Sequence, residues 1–229
     1  MGFLKKFFRD VLEEAARRPV GSFEHLSEEE LETHLGVARY NGFSLTDAIR
    51  PSYDLKVTPQ QGYRHDFYTD EQAGTRVPVV MASATREILF DLFMDMLDPL
   101  GTNVDVVLET SHHRDAAGHA DLYREHIDLP VLKSILYDHE ELLTHDGCAG
   151  IAVLNPAIPQ EVQFDEHKLI IVYGAGLTPY ESILTEYGIS LDEQMRFITE
   201  AEHVHSSSEE YAAEFEGLKM RLGMDADYC

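Results

Sequence analysis

Cysteine is nearly missing from this chain: among 229 residues only Cys148 and Cys229 occur. Two cysteines make no disulfide framework, and no CxxC or Cys/His spacing of a structural zinc site is present. Cys148 opens an apolar run and reads as a small core residue, while Cys229 lacks the three following residues of a prenylation box. Basic residues are scarce as well. Eighteen Lys and Arg, only six of them Lys, face 42 Asp and Glu, for a net charge of −24. Such a body repels a phosphate backbone, so nucleic acid is not an expected partner. Basic proteins, cationic ligands and divalent metals are compatible with it. The acidity also serves as a plain solubility device. No apolar run reaches the ~18 residues that span a bilayer. Arg9, Asp10, Glu13 and Glu14 interrupt any signal-peptide core, and Lys6 stands where myristoylation of Gly2 needs Ser or Thr. The expected location is cytoplasmic.

What the chain does have is a segregated charge. Residues 1–18 carry Lys5, Lys6, Arg9, Arg17 and Arg18 against Asp10, Glu13 and Glu14, a net +2. Phe3, Leu4, Phe7, Phe8, Val11, Leu12 and Ala15 form one apolar stripe at helical spacing that ends before Pro19. Ser27 with Glu30 is a capping box for a second helix through Leu31 and Leu35, and Ser44 with Asp47 suggests a short third turn before Pro51. The division that follows is an N-terminal helical segment over 1–50, an irregular linker over 51–75 and an α/β domain over 76–229.

Within that domain the β-branched runs at 77–81, 104–108, 151–154 and 169–173 predict strands. Helices are expected between them: one from Ile88 to Leu97, one beginning at Pro130, one beginning at Thr178-Pro179, and a last one with Tyr211, Phe215, Leu218 and Leu222 on one face. Residues 196–202 read as a final strand. The resulting fold class is α/β, with α+β as its variant: a mixed sheet of about five strands with packed helices. Strands joined through helices are expected to be parallel, with a hairpin near 155–168 reversing direction. From residue 104 onward the order is partly ferredoxin-like.

Four groups of residues could carry chemistry. The polar stretch 109–126 holds Glu109, His112, His113, Asp115, His119, Asp121, Glu125 and His126, of which His112, His113, His119 and Asp121 are candidate metal ligands. A solvated loop is the plain alternative. His203 and His205 would share one face of a strand and form a second candidate metal pair, or simply close that strand. The expected hairpin places the two groups at opposite ends of the sheet. Glu87, Asp91, Asp95 and Asp98 line one face of a helix; like charges there cost roughly 0.2–0.5 kcal/mol per pair, so the stripe is a solvent edge or a docking surface for a basic partner. Phe3, Phe7 and Phe8 on the N-terminal stripe could pack on the body, on a second copy or on a partner, and a membrane surface is the weakest of these options. No Walker loop, nucleophile elbow or GxGxxG occurs, and Gly174-Ala175-Gly176 reads as a turn.

The function expected from sequence is therefore protein–protein interaction, as an adaptor, regulator or inhibitor of a basic partner, with homo-oligomerisation through the N-terminal helix as a variant. The competing expectation is a metal-dependent hydrolase using a His/Asp cluster, with a divalent metal as the only cofactor. Peripheral membrane association comes third.

Overall fold

The computed structural model describes residues 21–70, 74–112 and 120–224. Helix α1 (Glu28–Leu35) starts at the Ser27–Glu30 capping box foreseen from sequence. A small ribbon follows, β1 (Arg39–Tyr40) and β2 (Phe43–Ser44), turned by Asn41 and Gly42 at φ +48° and +90°. Two successive positive φ values are what a tight type I′ hairpin needs, and Asn-Gly supplies them. Strand β3 (Ile49–Pro51) replaces the helical turn expected at 44–50.

The central sheet is built from β4 (Gly62–Asp70), β5 (Thr75–Ser83), β6 (Asn103–Thr110), β7 (Ala120–Asp128), β8 (Ala149–Leu154), β9 (Glu161–Phe164) and β10 (Ile170–Tyr173), in the order β4-β5-β10-β9-β8-β6-β7. Every pairing in it is antiparallel. The class is α/β, and the hairpin expected near 155–168 joins β8 to β9. The sheet has seven strands instead of about five, and none of them is parallel. Three unforeseen strands, β4, β7 and β9, enter the sheet, and the strand expected at 196–202 stays out of it. Residues 62–70, expected as linker, pair along their whole length with β5, and residues 120–128, expected as a polar insertion, pair with β6. The hairpin that inserts β7 reverses the chain once more, so β8 runs antiparallel to β6 instead of parallel. The added β7 and β9, and the departure of the last strand to pair with β3, remove the ferredoxin-like order.

Helices α2 (Arg86–Met96), α3 (Leu129–Tyr137), α4 (Glu140–His145), α5 (Thr178–Glu186) and α6 (Glu209–Arg221) supply apolar residues to one core on one face of the sheet. The row Leu122, Leu108, Ile151, Phe164, Ile170 and Ala82 crosses six strands in register beneath them. Phe93 stacks on Phe164 at 4.9 Å, and Phe215, Leu218 and Leu222 bury the face of α6 read from the sequence. Gly188, at φ +71°, ends α5, where Ile189 donates its N–H to Leu184 O in a Schellman closure.

The opposite face of the sheet carries a second, smaller core: Tyr68, Val79, Leu169, Ile171 and Tyr173 under Met195 and Phe197. Residues 198–200, expected as strand, form a 3-10 turn. Strand β11 (His203–His205) follows and leaves the main sheet to pair with β3. No helix among the described residues is long and apolar enough to cross a membrane.

Candidate metal centre

Antiparallel pairing collects several chain segments at one end of the sheet: the end of β6, the start of β8 and the β9–β10 turn. That turn is organised by Asp165. Its Oδ1 accepts the N–H groups of His167 (3.0 Å) and Leu169 (2.8 Å), and its Oδ2 lies 2.8 Å from His167 Nδ1. Lys168 takes φ +62° to complete the reversal. His167 is thereby buried and held at a fixed angle.

Strand β11 delivers the other two histidines. Alternation puts His203 and His205 on one face, and the β3 register (His203 opposite Pro51, His205 opposite Ile49) aims that face at the turn. Ring centroids are 4.9 Å apart for His167–His203, 4.7 Å for His167–His205 and 5.1 Å for His203–His205. One ring nitrogen from each lies within 4.8 Å of the other two.

The outer nitrogens define the tautomers. His203 Nδ1 donates to Ala201 O (2.8 Å), His205 Nδ1 to Gly147 O (2.6 Å) and His167 Nδ1 to Asp165. A neutral imidazole that donates from Nδ1 carries its lone pair on Nε2. Metal-bound histidines are held in the same way, the far N–H fixed by a carbonyl or carboxylate. Burial, helped by the neighbouring His167, drops the His205 pKa to about 4, which keeps the ring neutral. At His167 burial opposes protonation, but Asp165 outweighs it and holds the pKa above its ordinary value.

Around the rings the charge is net negative. Lys168 is buried, its Nζ donates to Ala149 O at 2.8 Å, and burial lowers its pKa to about 8. Asp146, Asp165 and Glu166 all act on it, and three carboxylates against one ammonium suit a dication. A cavity of about 20 Å³ borders His167 and Lys168, room for roughly one water. Anything larger must approach from the side where His203 and His205 are partly exposed.

The candidates read from sequence separate in the fold. His203 and His205 converge, and His167, which the sequence reading passed over, completes the group. A turn histidine two residues after an Asp at the end of a strand is the signal that was available. His112 lies nearby but faces elsewhere: its Nε2 is 2.8 Å from Asp146 Oδ2 and its Nδ1 2.7 Å from Thr110 Oγ1. The His112 and Asp146 atoms stand within contact distance, but neither is aligned for a hydrogen bond. The two groups are not at opposite ends, because Gly147, whose carbonyl fixes His205, directly follows Asp146. Asp121 sits on β7 opposite Glu109 and accepts from Tyr123 Oη. His113, Asp115 and His119 lie outside the described residues, as do Phe3, Phe7 and Phe8.

The acidic helix stripe on α2 is largely engaged within the chain. Thr85 Oγ1 donates to Glu87 and lowers its pKa to about 2, Tyr187 Oη donates to Asp95 at 2.7 Å, and Lys133 pairs with Asp98. Comparison with known proteins finds no matching family model, no similar curated protein and no similar solved structure.

Proposed function

We propose that the chain is a cytoplasmic metalloprotein that binds one divalent transition-metal ion, Zn²⁺ being the best match, through His167, His203 and His205. The observation that carries this reading is the shared orientation of the three rings, whose Nδ1 atoms all meet fixed acceptors and which bring one ring nitrogen each within 4.8 Å of the other two. In a tetrahedral zinc site neighbouring ligand atoms stand about 3.3 Å apart. The 4.8 Å limit here therefore closes with an inward shift of about 1.5 Å at most. Histidine without thiolate fits Zn²⁺ and its neighbours in the series better than Ca²⁺ or Mg²⁺.

Three protein ligands leave a fourth position, the pattern of catalytic zinc sites, and the bound ion would supply Lewis acidity and a water of lowered pKa. The chain's residues do the rest. Asp165 orients His167, the Gly147 and Ala201 carbonyls orient the other two rings, and the Ile49, Phe197 and Leu89 walls keep bulk water from the inner side. Metal-assisted hydrolysis is the activity this arrangement supports.

The test is metal analysis of the full-length protein after zinc loading and dialysis, joined to Co²⁺ absorption spectra. One ion per chain is expected, lost in His167→Ala, His203→Ala and His205→Ala but retained in His25→Ala. No uptake by the parent protein, or uptake retained after all three substitutions, overturns it. Hydrolysis of 4-nitrophenyl esters and phosphates by the loaded protein then tests the activity.

A second reading, interaction with a basic partner, draws on an open cavity of about 490 Å³ walled by Asp47, Glu87, Glu140 and Glu141 with Arg86 and His145. An ammonium or guanidinium group fits its charge. Binding of a polyarginine peptide that is lost on Glu140→Lys/Glu141→Lys supports it; equal binding by parent and variant removes it.

A further inference from the structure

The second face of the sheet is covered over only half its width by described residues. Met195 and Phe197 lie over the β5 and β10 side. On the β6, β8 and β9 side, the register aligns Tyr123, Val107, Ala152, Gln163 and Ile171 in one row and Asp105, Leu154, Glu161, Tyr173 and Val79 in the next. Val107 (3% exposed), Ala152 (0%), Gln163 (0%) and Glu161 (4%) are buried. Among the described residues, however, Val107 and Ala152 pack in a separate small cluster joined only by Leu154.

We propose that the N-terminal segment 3–15 of the same chain is the occupant of this half-face, laying Phe3, Phe7, Phe8, Val11 and Leu12 along Val107, Ala152 and Leu154.

Composition narrows the choice. Outside the described residues stand 1–20, 71–73, 113–119 and 225–229. Only the first contains large aliphatic or phenylalanine side chains; the others are Glu-Gln-Ala, His-Arg-Asp-Ala-Ala-Gly-His and Asp-Ala-Asp-Tyr-Cys. Length agrees. A helix of eighteen residues runs about 27 Å, and the four strand spacings from β7 to β10 measure about 19 Å. The point of attachment agrees too. Ser22 donates its N–H to Glu202 Oε2 at 2.7 Å, which anchors the described chain beside the 198–205 segment that follows Phe197 on this face. Charge agrees in sign, since Lys5, Lys6 and Arg9 would meet a face bearing Asp105 and Asp121. The last point is polar. Glu109 Oε1 and Glu161 Oε1 are buried on this face with no hydrogen-bond partner among the described residues, and a lysine or arginine could reach them.

The arm is thus a part of the fold that closes the second core, and its basic residues serve the acidic body rather than a membrane. The test places a photo-crosslinking phenylalanine analogue at position 7, and separately at position 8, in the full-length protein, with a mixture of isotopically light and heavy chains. The expected result is crosslinks within one chain to peptides containing 105–109, 150–154 or 161–163. A Phe7→Asp/Phe8→Asp variant is expected to bind a hydrophobic dye several-fold more strongly and to melt lower. Light–heavy crosslinks would show instead a second copy as the occupant. Sedimentation with anionic phosphatidylserine vesicles would show a lipid surface. Either result, or crosslinks only elsewhere on the chain, overturns the proposal.

Discussion

Gly147 is the residue whose substitution most sharply tests how the histidine centre is built. A Cβ at this position would lie 2.2 Å from Ala48 O, 2.9 Å from Ser206 O and 3.0 Å from Ser206 N, so backbone on both sides must move. Three hydrogen bonds meet there: Gly147 N–H to Ser206 O (2.7 Å), Ser206 N–H to Ala48 O (2.8 Å) and His205 Nδ1 to Gly147 O (2.6 Å). Overpacking typically costs about 1–3 kcal/mol, and each weakened bond adds about 1 kcal/mol. Gly147→Ala should therefore lose about 4–6 kcal/mol, on the order of 10–20 °C in Tm for a chain of this size. The φ at Gly147 is not positive, so the effect is steric; Gly42→Ala supplies the contrast, with φ +90° and nothing within 4 Å, and should lose only about 1 kcal/mol. Urea unfolding measures both. Because the shift also displaces the His205 acceptor, zinc affinity should fall with stability in Gly147→Ala and stay unchanged in Gly42→Ala. If Gly147→Ala unfolds within about 0.5 kcal/mol of the parent and binds zinc equally well, the description of this junction is wrong.

Other outcomes follow from the same physics. Asp165→Asn should keep the turn's amide contacts but weaken zinc binding about 10–100-fold, as loss of a carboxylate behind a ligating histidine does, read by competition with a chromophoric chelator. Burial raises the Glu161 pKa to about 8. A carboxyl raised in the folded state favours folding while protonated, so stability should fall as pH rises from about 4.5 to 8, and Glu161→Gln should flatten that fall in pH-dependent denaturation. His65 bridges Glu193 and Glu181, each at 2.6 Å, and these hydrogen bonds raise its pKa. Its contribution is complete below the unfolded histidine pKa and lost as pH rises through the folded value; His65→Gln should abolish that step, seen as faster amide exchange in β4 at low pH only. Arg50 donates to Leu35 O, Thr46 O and Ile49 O from a buried position, so Arg50→Lys should destabilise by a few kcal/mol despite the conserved charge, checked by thermal melting.

How much of this was legible depended on which side of the sheet a residue faced. Interior strands β5, β6, β8 and β10 bury residues on both faces and read as β-branched runs. The edge strands β4 and β7 did not: Gly-Tyr-Arg-His-Asp-Phe-Tyr-Thr-Asp and Ala-Asp-Leu-Tyr-Arg-Glu-His-Ile-Asp look like loops, because an edge strand turns much of its surface to water. Missing β7 hid one reversal, so β8 runs opposite to the expected sense, and His203 and His205 are placed differently because their strand leaves the main sheet for β3. The final helix was clear because Phe215, Leu218 and Leu222 all meet one core. The histidine group was half legible. An H-x-H pair declares its shared face, whereas His167 becomes a neighbour only through the β9–β10 turn and the β3–β11 register, neither of which has a local pattern.

The β3–β11 ribbon has a consequence for the order of folding. The sheet's hairpins close between neighbouring strands and need little loop entropy, but Ile49 pairs with His205 across most of the chain. Contacts of that span form late. The three imidazoles therefore come together only once that long loop has closed, and the ability to capture a metal ion would time-stamp the completion of the native chain.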